Sequence, residues 1–335
     1  MSPLNLRKIL RFFILFSLLL SGCSIINNLQ PTTTPTKIPT LIPTATPKPA
    51  RVVLIAPPNS DAVTVTDAQK ILTELASTSK LLFETRQKIS ANEITADIKI
   101  IVFLNHPDNL GALANAAPKT QFAVISDLNW NPTSNVTIIR QKPEYVAFIA
   151  GYISEVLDNN FRSGALIASE DTLTQDAFQN GAHFYCGLCK PEIPPYNNYP
   201  LLGLQPKGSP AASWQSAFDQ INTGTIKVLY VAPEAYSPEL FTYLVSKDII
   251  LFGSQIPPDV AKPKWAATLQ LDGLSPLREA WSDLIAGKGG KTIYGGVQFA
   301  NLQLNLFPQG KVDFIDRMLD KMRSGLINPL SVPKE

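Results

Sequence analysis

Short runs of Val, Ile and Leu alternate with stretches of helical spacing from Arg51 onward, and this alternation restricts the fold more than any other feature. The strand-like runs lie at 52–56, 98–104, 122–126, 136–140, 163–168, 200–205, 225–232, 249–253 and 266–271. The helical stretches lie at about 66–78, 108–117, 143–157, 174–185, 211–222, 237–247 and 275–286. Continuous apolar strands separated by helices are typical of parallel sheets that are covered on both faces. The sequence therefore predicts an α/β fold with mostly parallel sheets.

The end of the sequence departs from this alternation. Residues 292–307 have the pattern of a hairpin or strand pair, and residues 312–322 that of a closing amphipathic helix. The 285 residues that begin at Arg51 are more than one hydrophobic core usually serves. We therefore expect two lobes.

The N-terminus has the pattern of an export signal. Arg7, Lys8 and Arg11 precede the uncharged apolar run at 12–20, which is about half the length needed to span a bilayer. The run ends in Leu-Ser-Gly-Cys at 20–23, which resembles the bacterial lipobox, in which the cysteine thiol receives a diacylglycerol. We predict a signal peptide at 1–22 and lipidation of Cys23, which anchors the chain to the outer side of the cell membrane. The alternative is an ordinary secretory signal followed by a chance cysteine.

Residues 23–50 are predicted to form a tether. Prolines recur every four residues at 31, 35, 39, 43 and 47, and Thr is frequent between them. Because proline fixes φ and lacks an amide donor, this segment favours a semi-rigid extended spacer. Such a spacer holds the folded part of the chain away from the membrane.

The charge balance argues against a nucleic-acid partner. The chain has 29 basic and 27 acidic residues, and three of the basic ones lie in the predicted signal peptide. The mature chain therefore has 26 basic and 27 acidic residues and no strong positive field.

Polar and aromatic residues follow many of the predicted strands. In parallel α/β sheets, ligands bind at the carboxyl ends of the strands, so these residues are candidates for a binding site. The alternative for each of them is turn chemistry or helix capping. The candidate ligand-binding residues are Asn59, Asp127, Trp130, Tyr236, Ser254, Gln255 and Asp272.

Residues 122–169 resemble the basic membrane protein family of substrate-binding lipoproteins. The likeness rests on Asp127 at a strand end, the Asn135–Val136 pair, Glu144, the Phe-x-x-Gly helix at 148–151 and the strand led by Gly164. Phe-Gln-Asn-Gly at 178–181 is similar to the helix of the family's second lobe.

The resemblance implies a type I periplasmic-binding fold, in which two Rossmann-like lobes close on a ligand around a three-stranded hinge. It places the N-terminal lobe at 51–145, with a return segment at about 256–290, and the C-terminal lobe at 146–255, with about 291–335. It also implies a nucleoside-like ligand, with one aromatic ring stacked on the base; Tyr236 is the candidate ring.

The chain departs from the family pattern at the ligand-binding turns. The first strand is followed by Pro57-Pro58-Asn59-Ser60 without the family's Phe, and the ribose-binding Asp is replaced in the turn that contains Ser254 and Gln255. A Lys expected near the last cleft strand is replaced by Gln270 or a neighbour.

Cys186 and Cys189 form a Cys-x-x-Cys motif followed by a lysine. The motif follows a helical stretch, whereas a redox-active motif of this kind begins a helix whose dipole stabilises the thiolate. A small structural disulfide or two free thiols are both compatible with it. A zinc site needs two more ligands, and His183 is the one nearby imidazole in the sequence, so we expect no metal site.

Together these features predict a lipid-anchored receptor that binds a small molecule outside the cell and delivers it to an ABC permease. The alternative is a ligand-sensing surface lipoprotein that is not coupled to transport. An exported enzyme would need a catalytic motif, and the sequence contains no G-x-S-x-G, P-loop or H-E-x-x-H. We expect a monomer with no cofactor, no catalytic residues and no nucleic-acid partner.

Overall fold

A computed structural model of the chain describes residues 48–331 except residue 224. The predicted signal peptide, Cys23 and the tether up to residue 47 lie outside the described residues. Among the helices in the described part, none combines the length and apolar character needed to cross a bilayer.

Strands and helices mostly alternate along the described part of the chain. The strands are β1 (Arg51–Ile55), β2 (Leu82–Arg86), β3 (Ile98–Phe103), β4 (Gln121–Ser126), β5 (Val136–Arg140), β6 (Ser163–Ala168), β7 (Leu201–Gln205), β8 (Val228–Val231), β9 (Ile250–Gly253), β10 (Trp265–Asp272), β11 (Thr292–Tyr294) and β12 (Gly296–Ala300). The helices are α1 (Ala62–Thr78), α2 (Leu110–Ala116), α3 (Pro143–Leu157), α4 (Thr172–Cys186), α5 (Ala211–Ile221), α6 (Pro238–Val245), α7 (Ser275–Ile285) and α8 (Gln309–Arg323).

Two sheets of six strands each are formed by the described residues, in the orders β11-β5-β4-β3-β1-β2 and β12-β10-β9-β8-β6-β7. Strands β1–β5 of the first sheet and β6–β10 of the second have the same spatial order. In each set, the strand that comes first in the sequence lies between the second and the third. The observed pairs are parallel except for β10 with β12. The predicted α/β class with mostly parallel sheets is confirmed.

Each sheet is covered by helices on both faces. In β1, Val52 and Leu54 face the cluster that includes residues of α1 and α7, whereas Val53 and Ile55 face the cluster that includes residues of α2. Successive side chains of a strand point to opposite faces, so a strand buried on both sides is apolar throughout. The second sheet lies in the same way between α3, α4 and α8 on one side and α5 and α6 on the other.

Helices α3 and α4 approach each other through a pair of glycines. A Cβ at Gly151 would lie 1.8 Å from the carbonyl oxygen of Phe178, and a Cβ at Gly181 would lie 1.9 Å from that of Phe148. Any side chain here would have to move backbone atoms. The two Phe-x-x-Gly stretches noted in the sequence, at 148–151 and 178–181, therefore pack against each other in a single helix–helix contact.

The described chain passes between the sheets at three places: after β5, after β10 and between β11 and β12. Gly295 separates β11 from β12, so these strands join different sheets and do not form the predicted hairpin. The return to the first sheet begins at Gly273 rather than near residue 256, because β10 pairs with β9 and β12 in the second sheet. β11 also pairs in the first sheet, whereas the sequence resemblance places about 291–335 in the C-terminal lobe.

Candidate functional site

A cleft of about 860 Å³ lies between the two sheets, at the carboxyl ends of their strands. This volume is within the range of small-molecule sites, about 300–1,000 Å³. We call the segments where the chain passes from one sheet to the other crossovers. Gln141, in the first crossover, and Gly273, in the second, line the cleft, so the cleft adjoins the segments that join the lobes.

The first lobe contributes the turn after β1 and the start of α1. Asp61 caps this helix: its carboxylate accepts hydrogen bonds from the Thr64 N–H and the Thr64 hydroxyl, each at 2.8 Å. The backbone hydrogen bond from Thr64 lowers the pKa of Asp61. The neighbouring Ser60 hydroxyl is buried and has no hydrogen-bond partner among the described residues. Asp67 and Asn105 lie in the same wall.

The second lobe presents a matching turn. Asp171 caps α4 and accepts a hydrogen bond of 3.1 Å from the N–H of Thr174, which repeats the Asp-x-x-Thr arrangement at the start of α1. Both residues line the cleft, and Glu234, from the turn after β8, lies with them. The ammonium of Lys207 lies 4.0 Å from one carboxylate oxygen of Glu234. Each lobe therefore offers a capping carboxylate to the cleft.

A row of polar side chains from β10 and β12 also lines the cleft. Gln270 pairs directly with Gln298 across the two antiparallel strands, and Asp272 is two residues further along β10, on the same face. Asp272 is only 7% exposed. Its Oδ1 accepts hydrogen bonds from the N–H groups of Leu274 and Ser275, at 3.1 and 2.8 Å. The carboxylate thus holds the start of the second crossover.

Ser254 and Gln255 line the cleft from the turn after β9. The hydroxyl of Tyr230 donates to the Ser254 hydroxyl at 3.4 Å, and burial raises the pKa of Tyr230 to about 12, so its hydroxyl stays protonated. Gly253, just before this turn, lets the Tyr236 side chain approach the backbone, because a Cβ there would lie 2.3 Å from the hydroxyl of Tyr236.

Tyr236 supports the turn instead of lining the cleft. Its hydroxyl donates to the carbonyl of Gln255 at 2.9 Å and accepts from the Gln255 N–H at 3.2 Å. Its ring packs edge-to-face on Phe241 and Trp265, and burial raises its pKa. The ring is therefore occupied by protein contacts and does not provide the stacking face expected from the resemblance.

The predicted site residues separate into two groups. Ser254, Gln255 and Asp272 line the cleft, whereas Asn59, Asp127, Trp130 and Tyr236 are not among its lining residues. Asn59 and Asp127 are exposed, and the Trp130 ring lies edge-on to His106 with the ring centres 5.8 Å apart. Strand ends alone do not indicate which turn residues face inward.

Several lining residues were missed by sequence reasoning, namely Thr64, Asp67, Gln141, Thr174 and Gln298. The repeated Asp-x-x-Thr at the first helix of each lobe was a signal that could have found two of them. Nothing in the local sequence marks Gln298, because its position depends on β12 joining the second sheet.

Cys186 and Cys189 are joined by a disulfide at the end of α4, with Cα atoms 5.0 Å apart. A carboxylate oxygen of Glu155 and the two sulfur atoms lie within 4.8 Å of one another. Three groups of this kind suit a zinc ion, but disulfide-bonded sulfurs are not thiolates and do not supply that ligand set. In the observed state these residues are a structural bridge.

No protein-family model and no curated protein matches the sequence. The structure is similar to an ABC transporter solute-binding protein from Conexibacter woesei, with a TM-score of 0.58, 14% identity and coverage of 83% of this chain and 98% of that one. It is also similar to a transcriptional activator of the comK gene from Bacillus halodurans, with a TM-score of 0.53, 12% identity and coverage of 85% and 100%. These likenesses, with the two parallel six-stranded sheets of the described residues, identify the fold as the type I periplasmic-binding fold.

Proposed function

We propose that the protein is an extracytoplasmic solute-binding protein that captures a small polar molecule between its lobes and delivers it to an ABC permease. The observation that carries this proposal is the cleft itself: it lies at the strand ends of two repeated α/β lobes and adjoins the crossovers that join them. A ligand that contacts both walls would favour a closed arrangement of the lobes, and a permease can recognise that arrangement.

The lining is suited to binding rather than to covalent chemistry. The polar groups of the lining are amides, hydroxyls and carboxylates beside aliphatic side chains, and no His, Cys or Lys lines the cleft among the residues that the structure describes. Within this site we propose Ser254, Gln255 and Asp272 as ligand contacts, together with Gln270 and Gln298. Such groups recognise hydroxyl and amine groups of a solute.

A nucleoside is the specific candidate implied by the sequence resemblance. Among the lining residues that the structure describes, Tyr230 is the one aromatic side chain, and its ring is packed against Phe178 and Phe252. A bound base would therefore rest mainly on aliphatic and amide groups. Nucleosides therefore belong in the ligand panel beside other classes of polar solute.

Thermal unfolding with a panel of nucleosides, sugars, amino acids and amines tests the proposal. A solute with a dissociation constant of about 1 µM, supplied at about 100 µM, adds about 2.7 kcal/mol to the free energy of unfolding. We expect at least one class of compound to raise the melting temperature. No response to any class would contradict the solute-binding function.

We also propose that Cys23 carries the lipid that holds the receptor at the cell membrane. The support is the charged start, the short apolar run and the Leu-Ser-Gly-Cys stretch in register. A clickable palmitate analogue should label the wild type in cells and leave Cys23→Ala unlabelled. Equal labelling of both would contradict lipidation at this residue.

A further inference from the structure

The charged side chains that line the cleft all have the same sign. Asp61, Asp67, Asp171, Glu234 and Asp272 are in the lining, and no Arg, Lys or His is among the described lining residues. The carboxylates come from the first helices of both lobes, from the turn after β8 and from the end of β10, so they lie on several sides of the space. Among the described residues, Lys207 forms the one ion-pair contact with any of these carboxylates, 4.0 Å from Glu234, and its own side chain is 72% exposed.

Asp272 is the most buried member of this set. Asp272 is 7% exposed, and both of its backbone hydrogen bonds go to Oδ1. Oδ2 accepts no hydrogen bond within the described part of the chain and keeps some exposure to the cleft. Removing water from Oδ2 without supplying another partner is unfavourable, because the two backbone N–H groups bond only to Oδ1. Because the side chain lines the cleft, a bound solute can supply the missing partner.

Closure of the lobes would raise the electrostatic free energy of these carboxylates. As water leaves the cleft, like charges on opposite walls repel each other more strongly. An anionic solute would add to the repulsion between the carboxylates, and a neutral solute would not reduce it. A cationic solute would replace repulsion by attraction and would also be steered into the cleft before contact.

We infer that the solute carries at least one positively charged nitrogen, an inference that rests on the proposed solute-binding function. Asp272 is the primary contact of that nitrogen, and Glu234 contacts the solute from the second lobe. The amides of Gln270 and Gln298 lie beside Asp272 and bind the solute's polar groups. The ligand class is therefore a small amine or quaternary ammonium compound that also offers hydrogen-bonding groups.

Calorimetric titration of the full-length protein in detergent, with EDTA present, tests the charge requirement. The probes are 1,5-diaminopentane, spermidine, choline and arginine methyl ester, with 1,5-pentanediol, adenosine and ribose as neutral comparisons and succinate as an anion. We expect at least one cation to bind with a dissociation constant below about 100 µM, to weaken as salt rises, and to bind at least about tenfold more tightly than every neutral probe.

Two variants locate the charge contact. Asp272→Asn and Glu234→Gln should each weaken binding of the best cation at least about tenfold, whereas the exposed Glu192→Gln, which is outside the cleft lining, should leave it unchanged. If Asp272→Asn fails to fold, Glu234→Gln alone decides the question. Unchanged binding in Glu234→Gln and in folded Asp272→Asn would overturn the assignment.

The outcomes separate the inference from the function on which it rests. Preferential binding of adenosine, ribose or succinate would overturn the cationic ligand and leave solute binding intact. Binding of Ca²⁺ in an EDTA-free titration, without binding of any amine, would replace the organic cation by a metal ion and overturn the inference. Absence of binding by every probe, together with a flat thermal panel, would contradict the solute-binding function itself.

Discussion

At the scale of single residues, Glu155 is the buried acid that the proposed binding site does not use. It is 1% exposed, its Oε1 accepts hydrogen bonds from Ser163 and Ser154, and its Oε2 has no partner among the described residues. Burial, reinforced by the charge of Asp158, raises its pKa to about 8. The folded protein therefore favours the protonated form of this side chain at neutral pH.

Glu155→Gln should remove a pH dependence of stability. An ordinary glutamate in the unfolded chain has a pKa of about 4.3, so between that value and about 8 the folded state holds a proton that the unfolded state has lost. The stabilising contribution is complete below the unfolded pKa and is lost as pH rises through the folded one, at up to about 1.4 kcal/mol per pH unit. Urea unfolding of both proteins from pH 5 to 8 should give free energies that diverge in the variant's favour as pH rises. Glu239→Gln, at an exposed position, is the matched control, and parallel curves for wild type and Glu155→Gln would contradict the prediction.

At the scale of elements, the sequence predicted most strands and helices because buried strands and amphipathic helices have distinct periods. β2 was missed because Leu82–Arg86 is a sheet-edge strand with polar residues among its apolar ones, so it lacks a continuous apolar run. The last two strands were recognised, but their partners were not. A local sequence pattern indicates that a segment is extended. Its pairing partner depends on tertiary structure: the strands on either side of Gly295 pair in two different sheets.

The candidate site was predictable to a similar degree. Parallel topology located it at the carboxyl ends of the strands, and Ser254, Gln255 and Asp272 do line the cleft. Tyr236 could not be assigned from sequence, because whether an aromatic ring faces a ligand or packs on Phe241 and Trp265 depends on tertiary contacts. The uniform negative charge of the lining was equally hidden, since its carboxylates are separated in sequence and meet only in the folded chain.

At the scale of the whole molecule, Gly295 lies where the three segments that join the two sheets come close together. Its N–H donates to the Arg140 carbonyl at 2.9 Å, and a Cβ there would lie 2.7 Å from the carbonyl oxygen of Asp272, so Gly295→Ala must displace the adjoining crossovers. We expect this variant to lose about 1–3 kcal/mol of unfolding free energy and to give a small-angle scattering profile unlike that of the wild type. Gly310→Ala is the matched control, because a Cβ at Gly310 meets no atom within 4 Å. If both variants match the wild type in unfolding and in scattering, the crossovers tolerate side chains, and close contact between them does not set the relative position of the lobes.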